Sequence, residues 1–177
     1  LEICDLLNGI ELNPEDRHVW LSPKLISLQA QKITVVLEER FPEEKGRFEK
    51  NLTAFLKEIE ELDAKIRLRL DPIKERSFIV SHPAFGYFSQ QYDLQQLSIE
   101  QEGKDPRPRH LEKMLEMAKK SKAALALALP QHNNKGAEIV AEELGIPIHL
   151  IDPYSAKFFE TMLSLADLIA NPKSEAP

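Results

Sequence analysis

Apolar positions are spaced differently in the two parts of the chain. Before residue 71 they recur every three or four positions, the period of one helix face. Ser22 and Pro23 open such a run as N-cap and first helical residue, and Ile26, Ala30, Ile33 and Leu37 continue it to Phe41-Pro42. A second run follows at Phe48, Leu52, Phe55, Ile59, Leu62 and Ile66. It predicts a helix over residues 43–70, and a rise of 1.5 Å per residue makes that about 40 Å. A helix this long with a narrow apolar seam often spans lobes. Asp71-Pro72 ends it. Ahead of both runs, Ile3, Leu6 and Leu7 predict a short helical segment carrying Cys4, broken at Asn8-Gly9 and followed by a loop at residues 13–17.

From residue 73 onward, short apolar runs alternate with helical patterns, the signature of a parallel sheet built from βαβ units. Strands are predicted at residues 77–81, 94–99, 123–129 and 146–151. The intervening helices fall at residues 84–91, 108–121, 135–144 and 156–170, with Gly145 as a C-terminal cap and Asn171-Pro172 as a stop. The fold class is therefore α/β.

Composition narrows the function classes. Hydrophobic residues at 42% and charged residues at 29% describe a folded globular chain. A net charge of −6, with Lys and Arg interleaved among Glu and Asp, offers no electrostatic footprint for nucleic acid. No apolar run approaches the roughly 20 residues that cross a bilayer. A single cysteine excludes an internal disulfide and any multi-cysteine zinc site, so a metal would be held by His and carboxylate. Leu1-Glu2-Ile3-Cys4 lacks the small residues of a lipoprotein cleavage site, and the start without Met reads as a chain whose export signal is missing.

Ligands of an open parallel sheet bind at the carboxyl ends of its strands. His82 directly follows the first strand and Asp152 the fourth, so both project from one edge. Each also has a plainer reading: a histidine in such a place can be a satisfied polar residue, and Asp-Pro is a turn starter or helix cap. His110, His132 and His149 are expected in solvent-facing or structural roles. Phe85, Tyr87 and Phe88 read as packing that orients His82.

The local words add to this. His18 stands in Asp16-Arg17-His18-Val19-Trp20-Leu21-Ser22-Pro23, and His82 in Ser81-His82-Pro83-Ala84-Phe85-Gly86-Tyr87-Phe88. Together they resemble the two histidine motifs of the metal-specific solute-binding proteins of ABC importers, the zinc-uptake type in particular. Residues 51–62, Ser98-Ile99, Glu102-Gly103, and residues 135–147 leading to Ile151-Asp152-Pro153 match in the same order. Arg17 departs from the proline usual before that histidine, and no histidine-rich loop precedes His18.

The resemblance implies two α/β lobes joined by a long rigid helix, with the metal in the cleft between them. Residues 1–42 would be the end of an N-terminal lobe, 43–72 the linker helix and 73–177 a C-terminal α/β metal-binding lobe. His18 is similar to the family's second histidine, His82 to its third and Asp152 to its acidic ligand; a further histidine would come from the missing part of the N-terminal lobe. Zinc is the implied cargo, because manganese-type relatives carry a glutamate where His82 stands and nitrogen donors suit zinc; manganese is the alternative. A membrane permease of an ABC importer is the implied partner, in the periplasm or at the outer face of the cytoplasmic membrane.

Two other readings compete. A surface adhesin of the same family would share these residues. A hydrolase using Ser81 or Ser155 with His82 and Asp152 would need a nucleophile on a strained strand-to-helix turn, and no G-x-S-x-G elbow exists.

Overall fold

In the computed structural model, residues 3–13, 16–74, 76–100 and 108–173 are described. The predicted first helix is absent from the described residues: residues 6–9 form a turn, Ile3 is 85% exposed and Cys4 is exposed. Three apolar residues are too few to nucleate a helix. Asp5 Oδ1 instead accepts the Leu7 N–H, and Gly9 takes a φ of +74° that breaks the chain direction. Of the loop at 13–17, Pro14 and Glu15 lie outside the described residues, as do Glu102 and Gly103.

Helix α1 spans Pro23–Arg40, with the Ser22 hydroxyl accepting from Leu25 N–H and Pro23 in the first turn, as the sequence predicts. Its seam differs from the expectation. Ile33 is 41% exposed, while Pro23 and Thr34 are buried. The reason is that α1 packs chiefly against α2 (Lys45–Leu70), so the stripe away from that neighbour stays exposed. Helix α2 is itself buried chiefly in its second half, through Ile59, Leu62, Ile66 and Leu70.

Those four side chains, with Met162, Leu165 and Ile169 of α6 (Phe158–Ala170), cover one face of a four-stranded sheet. Its strands are β1 (Ser77–Val80), β2 (Gln95–Ser98), β3 (Ala126–Ala128) and β4 (Ile148–Leu150), all parallel, in the order β2-β1-β3-β4. The period of two then divides β1: Phe78 and Val80 enter the α2–α6 core, whereas Ile79 enters the core on the other face. That second core is built with Met114 and Ala118 of α4 (Pro108–Ser121) and Ala137, Val140 and Ala141 of α5 (Lys135–Leu144). Each such buried apolar side chain contributes roughly 1.5–3 kcal/mol. Helix α3 (Gly86–Gln91) links β1 to β2.

The strands are shorter than their apolar runs. Pro147 has no N–H to donate, so its carbonyl alone serves Ala126 and β4 begins at Ile148. At the other end, Leu129 N–H turns to the Asn134 side chain at 2.9 Å, which closes β3 at Ala128.

A polar knot ties α2 to α3. Asp63 Oδ1 accepts from the Tyr92 hydroxyl and the Gln91 amide, both at 2.8 Å, and its Oδ2 accepts from Arg67 Nε at 2.8 Å. Gln91 Oε1 in turn accepts from the Ser22 hydroxyl at 2.7 Å, so the start of α1 joins the same knot. Burial, then the hydrogen bond and charge of Asp63, hold the Tyr92 phenol well above its ordinary value, against a smaller pull from Arg67. The fold thus favours the neutral phenol. Stability tied to it is complete below about pH 10, the ordinary tyrosine value, and falls as pH climbs past that value toward the raised one. Tyr92→Phe should cost about 1 kcal/mol at pH 7 for the lost hydrogen bond. In urea titrations at rising pH, the gap between the two proteins should close above pH 10; a constant gap would refute the coupling.

Candidate metal centre

The carboxyl edge of the sheet collects the titratable side chains. His82 lies two residues past β1, and Glu100 two past β2. Backbone pairing continues beyond the strand ends, from Ile99 N–H to Val80 O at 2.9 Å and from Glu100 N–H to Ser81 O at 3.0 Å, which sets Glu100 beside His82. Glu100 Oε2 lies 2.8 Å from His82 Nδ1. His132, four residues past β3, stacks on His82 with ring centroids 3.7 Å apart and planes inclined by 16°. Its Nδ1 is 3.5 Å from the same Glu100 oxygen. Burial, with His82 adding to it, pulls the His132 imidazole below its ordinary value against the opposing pull of Glu100, which favours the neutral ring.

His18 reaches this edge from the segment ahead of α1. Asp16, only 2% exposed, holds it there: Oδ1 accepts the His18 backbone N–H at 2.8 Å and lies 2.7 Å from His18 Nδ1. Its Oδ2 accepts the Gly86 N–H at 2.8 Å. The two histidine words are thereby joined by one buried carboxylate. Trp20 Nε1 donates to Pro153 O at 3.1 Å, closing the same segment onto the loop after β4.

As a result the His18 and His82 rings face one another, with centroids 5.2 Å apart and planes at 82°. With Zn–N near 2.1 Å and a tetrahedral angle, two imidazoles on one zinc ion have centroids about 5 Å apart. Both rings turn Nδ1 to a carboxylate, so Nε2 is the nitrogen each has left to offer a metal. The Tyr154 hydroxyl, on a side chain 51% exposed, lies 3.4 Å from His18 Nε2.

Asp152 sits on the same edge, after β4. Its Oδ1 accepts from Gln131 Nε2 at 2.7 Å and from Tyr154 N–H at 2.9 Å, linking it to the neighbours of His132 and His18. Among the described residues, the group of three donors whose ligand atoms all lie within 4.8 Å is His82, Glu100 and His132, and neither His18 nor Asp152 belongs to it. His110 Nε2 is instead paired with Ile99 O at 3.1 Å, and His149 Nε2 with Pro172 O at 2.7 Å. Phe85, Tyr87 and Phe88 are buried, and the Tyr87 hydroxyl accepts the Asn13 N–H at 2.7 Å. Ser81 Oγ is buried without a hydrogen-bond partner, so His82 is not paired with it as a base.

Asp16, Glu100 and His132 were not among the metal residues that the sequence suggested. Glu100 and His132 follow β2 and β3 as His82 follows β1, and the carboxyl-edge rule applied to all four strands picks them out. Asp16 has no such signal, because its partner Gly86 is 70 residues away.

The architecture, a parallel sheet approached by a long helix, is that of the zinc-uptake type of solute-binding protein. A crystal structure of ZnuA superposes with a TM-score of 0.90 at 36% identity, covering 95% of this chain and 68% of that one. A ZnuA deletion mutant with zinc bound superposes with a TM-score of 0.88 at 35% identity, covering 98% of this chain and 70% of that one. Among sequences, the zinc-binding lipoprotein AdcA of Streptococcus pneumoniae (strain ATCC BAA-255 / R6) is 30% identical over 140 residues, 78% of this chain. The chain belongs to the family described as zinc-uptake complex component A periplasmic, whose model matches residues 3–171. It spans 28% of that AdcA and 57% of a Chlamydia trachomatis relative.

The bridge from Asp16 to Gly86 generates a prediction. A Cβ at position 86 would press directly into Asp16 Oδ2. Gly86→Ala should cost about 1–3 kcal/mol as an overpacked contact. In a chain of this size that lowers Tm by roughly 2–12 °C. In an Asp16→Ala background the same change should cost much less, and calorimetric melts showing equal losses in both backgrounds would contradict the bridge.

Proposed function

We propose that this chain captures zinc outside the cytoplasm, in the periplasm or at the outer face of the cytoplasmic membrane, and passes it to the permease of an ABC importer. His18 and His82 are the nitrogen donors, and Asp152 is the acidic member of the set. The observation that supports this most is the pair of facing imidazoles, 5.2 Å apart, each with its Nδ1 turned to a carboxylate. That arrangement occupies Nδ1 of each ring and fixes its orientation, leaving the two Nε2 atoms as the nitrogens that would take the metal. Zinc is favoured over manganese because both donors are nitrogen. Membership of a zinc-uptake family supports the same cargo. No chemical step is involved: the protein binds, holds and releases. In this reading residues 1–42, 43–72 and 73–177 are the end of one lobe, the linker helix and the second lobe.

Competition titration with a chelator of known zinc affinity tests it. Outer-shell partners of a metal site already cost 10–100-fold in affinity when removed, so His82→Ala should weaken zinc binding by about a hundredfold or more. His18→Ala and Asp152→Asn should each weaken it as well, and manganese should bind less tightly than zinc. A wild-type chain that binds no zinc, or a His82→Ala variant that binds it equally, would overturn the proposal.

A further inference from the structure

His82, Glu100 and His132 occupy the carboxyl ends of three adjacent strands, and β1 and β3 are the two central strands from which the sheet is wound in opposite directions. This is the switch point where an open α/β sheet forms its crevice. Glu100 Oε2 stands 2.8 Å from His82 Nδ1 and 3.5 Å from His132 Nδ1. Ligand atoms on one tetrahedral zinc, at 2.0–2.1 Å from the ion, lie about 3.3 Å apart. The two distances bracket that value. Two imidazoles and a carboxylate also form a chemically sufficient zinc set, with the fourth position left to water.

The loop bearing His132 is anchored at its base. Asn134 bonds both the N–H and the carbonyl of Leu129, at 2.9 and 3.0 Å, and His132 N–H donates to Leu129 O at 3.1 Å. Gln131 is tied to Asp152. Movement is therefore left to the His132 ring, whose side chain is 21% exposed. Some movement is required. Imidazole lone pairs lie in the ring plane, and planes inclined by only 16° at 3.7 Å do not converge on one ion. A tilt of the His132 ring off the stack removes that obstacle without moving the backbone.

We infer that His82, Glu100 and His132 form a second metal-holding set within the sheet edge alone, sharing His82 with the His18 pair. The inference rests on the reading of His82 as a ligand given above. In the first set His82 uses Nε2 and faces His18; in the second it uses Nδ1, and the ion takes the place of the proton between His82 and Glu100. A neutral imidazole offers one lone pair, so the two sets are alternatives and the chain holds one ion at a time. His82 is then a pivot, and metal reaching the sheet edge is held before or after His18 engages.

The test uses zinc, and cobalt(II) as a spectroscopic substitute, on the full chain with His18→Ala, His18→Ala/His132→Phe and His18→Ala/Glu100→Gln, folding being checked by circular dichroism. His18→Ala should keep one zinc per chain at reduced affinity, with a tetrahedral cobalt spectrum. Replacing His132 or Glu100 in that background should lower affinity by at least tenfold further and change the spectrum. A His18→Ala variant that loses zinc entirely, or one whose residual binding is indifferent to both second substitutions, would overturn the second set while leaving the His18–His82 reading standing. Failure of the wild-type chain to bind zinc would instead remove the reading on which it rests.

Discussion

The Asp16 carboxylate is the constraint on which the rest of the centre depends. It is buried, and a buried carboxylate is costly unless its oxygens are taken up by hydrogen bonds. Here Oδ1 serves the backbone and ring of His18 and Oδ2 serves the backbone of Gly86. Meeting that cost requires the segment before α1 to lie against the start of α3. Once it does, His18 has no choice of position: its ring is delivered to the sheet edge with Nδ1 occupied. The absence of a side chain at Gly86 is part of the same constraint, since only a bare backbone lets the carboxylate approach so closely.

Most of the fold was legible because its physics is local. Helix α4 spans its predicted residues, α5 ends at the cap that Gly145 announces, and the four strands fall within their predicted runs. What was lost at the strand ends was a matter of hydrogen-bond partners: Pro147 cannot donate, and Leu129 finds Asn134 before it finds a neighbouring strand. The α1 seam was misread at Ile33 because periodicity gives the apolar side of a helix but not how many neighbours will cover it. The first helix failed for the opposite reason, since so short a segment does not hold helical geometry against chain entropy.

The centre was legible by half. His18 and His82 stand in local words specific enough to be read singly. Asp16 acts through hydrogen bonds made only when distant segments meet, and no local pattern announces it, whereas Glu100 is reached by its place after β2. His132 lies between these cases. Taken alone it is a loop histidine beside two asparagines, for which a structural role is the sensible expectation. Taken with the strand order it sits across the switch point from His82, and the stack between the two rings follows from the adjacency of β1 and β3.

Charge at this edge also follows from placement. Asp16, Glu100 and Asp152 bring three carboxylates to a rim that also carries three imidazoles. A divalent cation entering there would meet acceptors already oriented, and burial with the neighbouring His82 disfavours added positive charge on His132. Each carboxylate is at the same time committed to a nearby group: Asp16 to His18, Glu100 to His82, Asp152 to Gln131 and Tyr154. The negative potential that would attract an ion and the hydrogen bonds that orient the neighbouring side chains are therefore supplied by the same three carboxylates. A substitution that removes one of them changes attraction and geometry together.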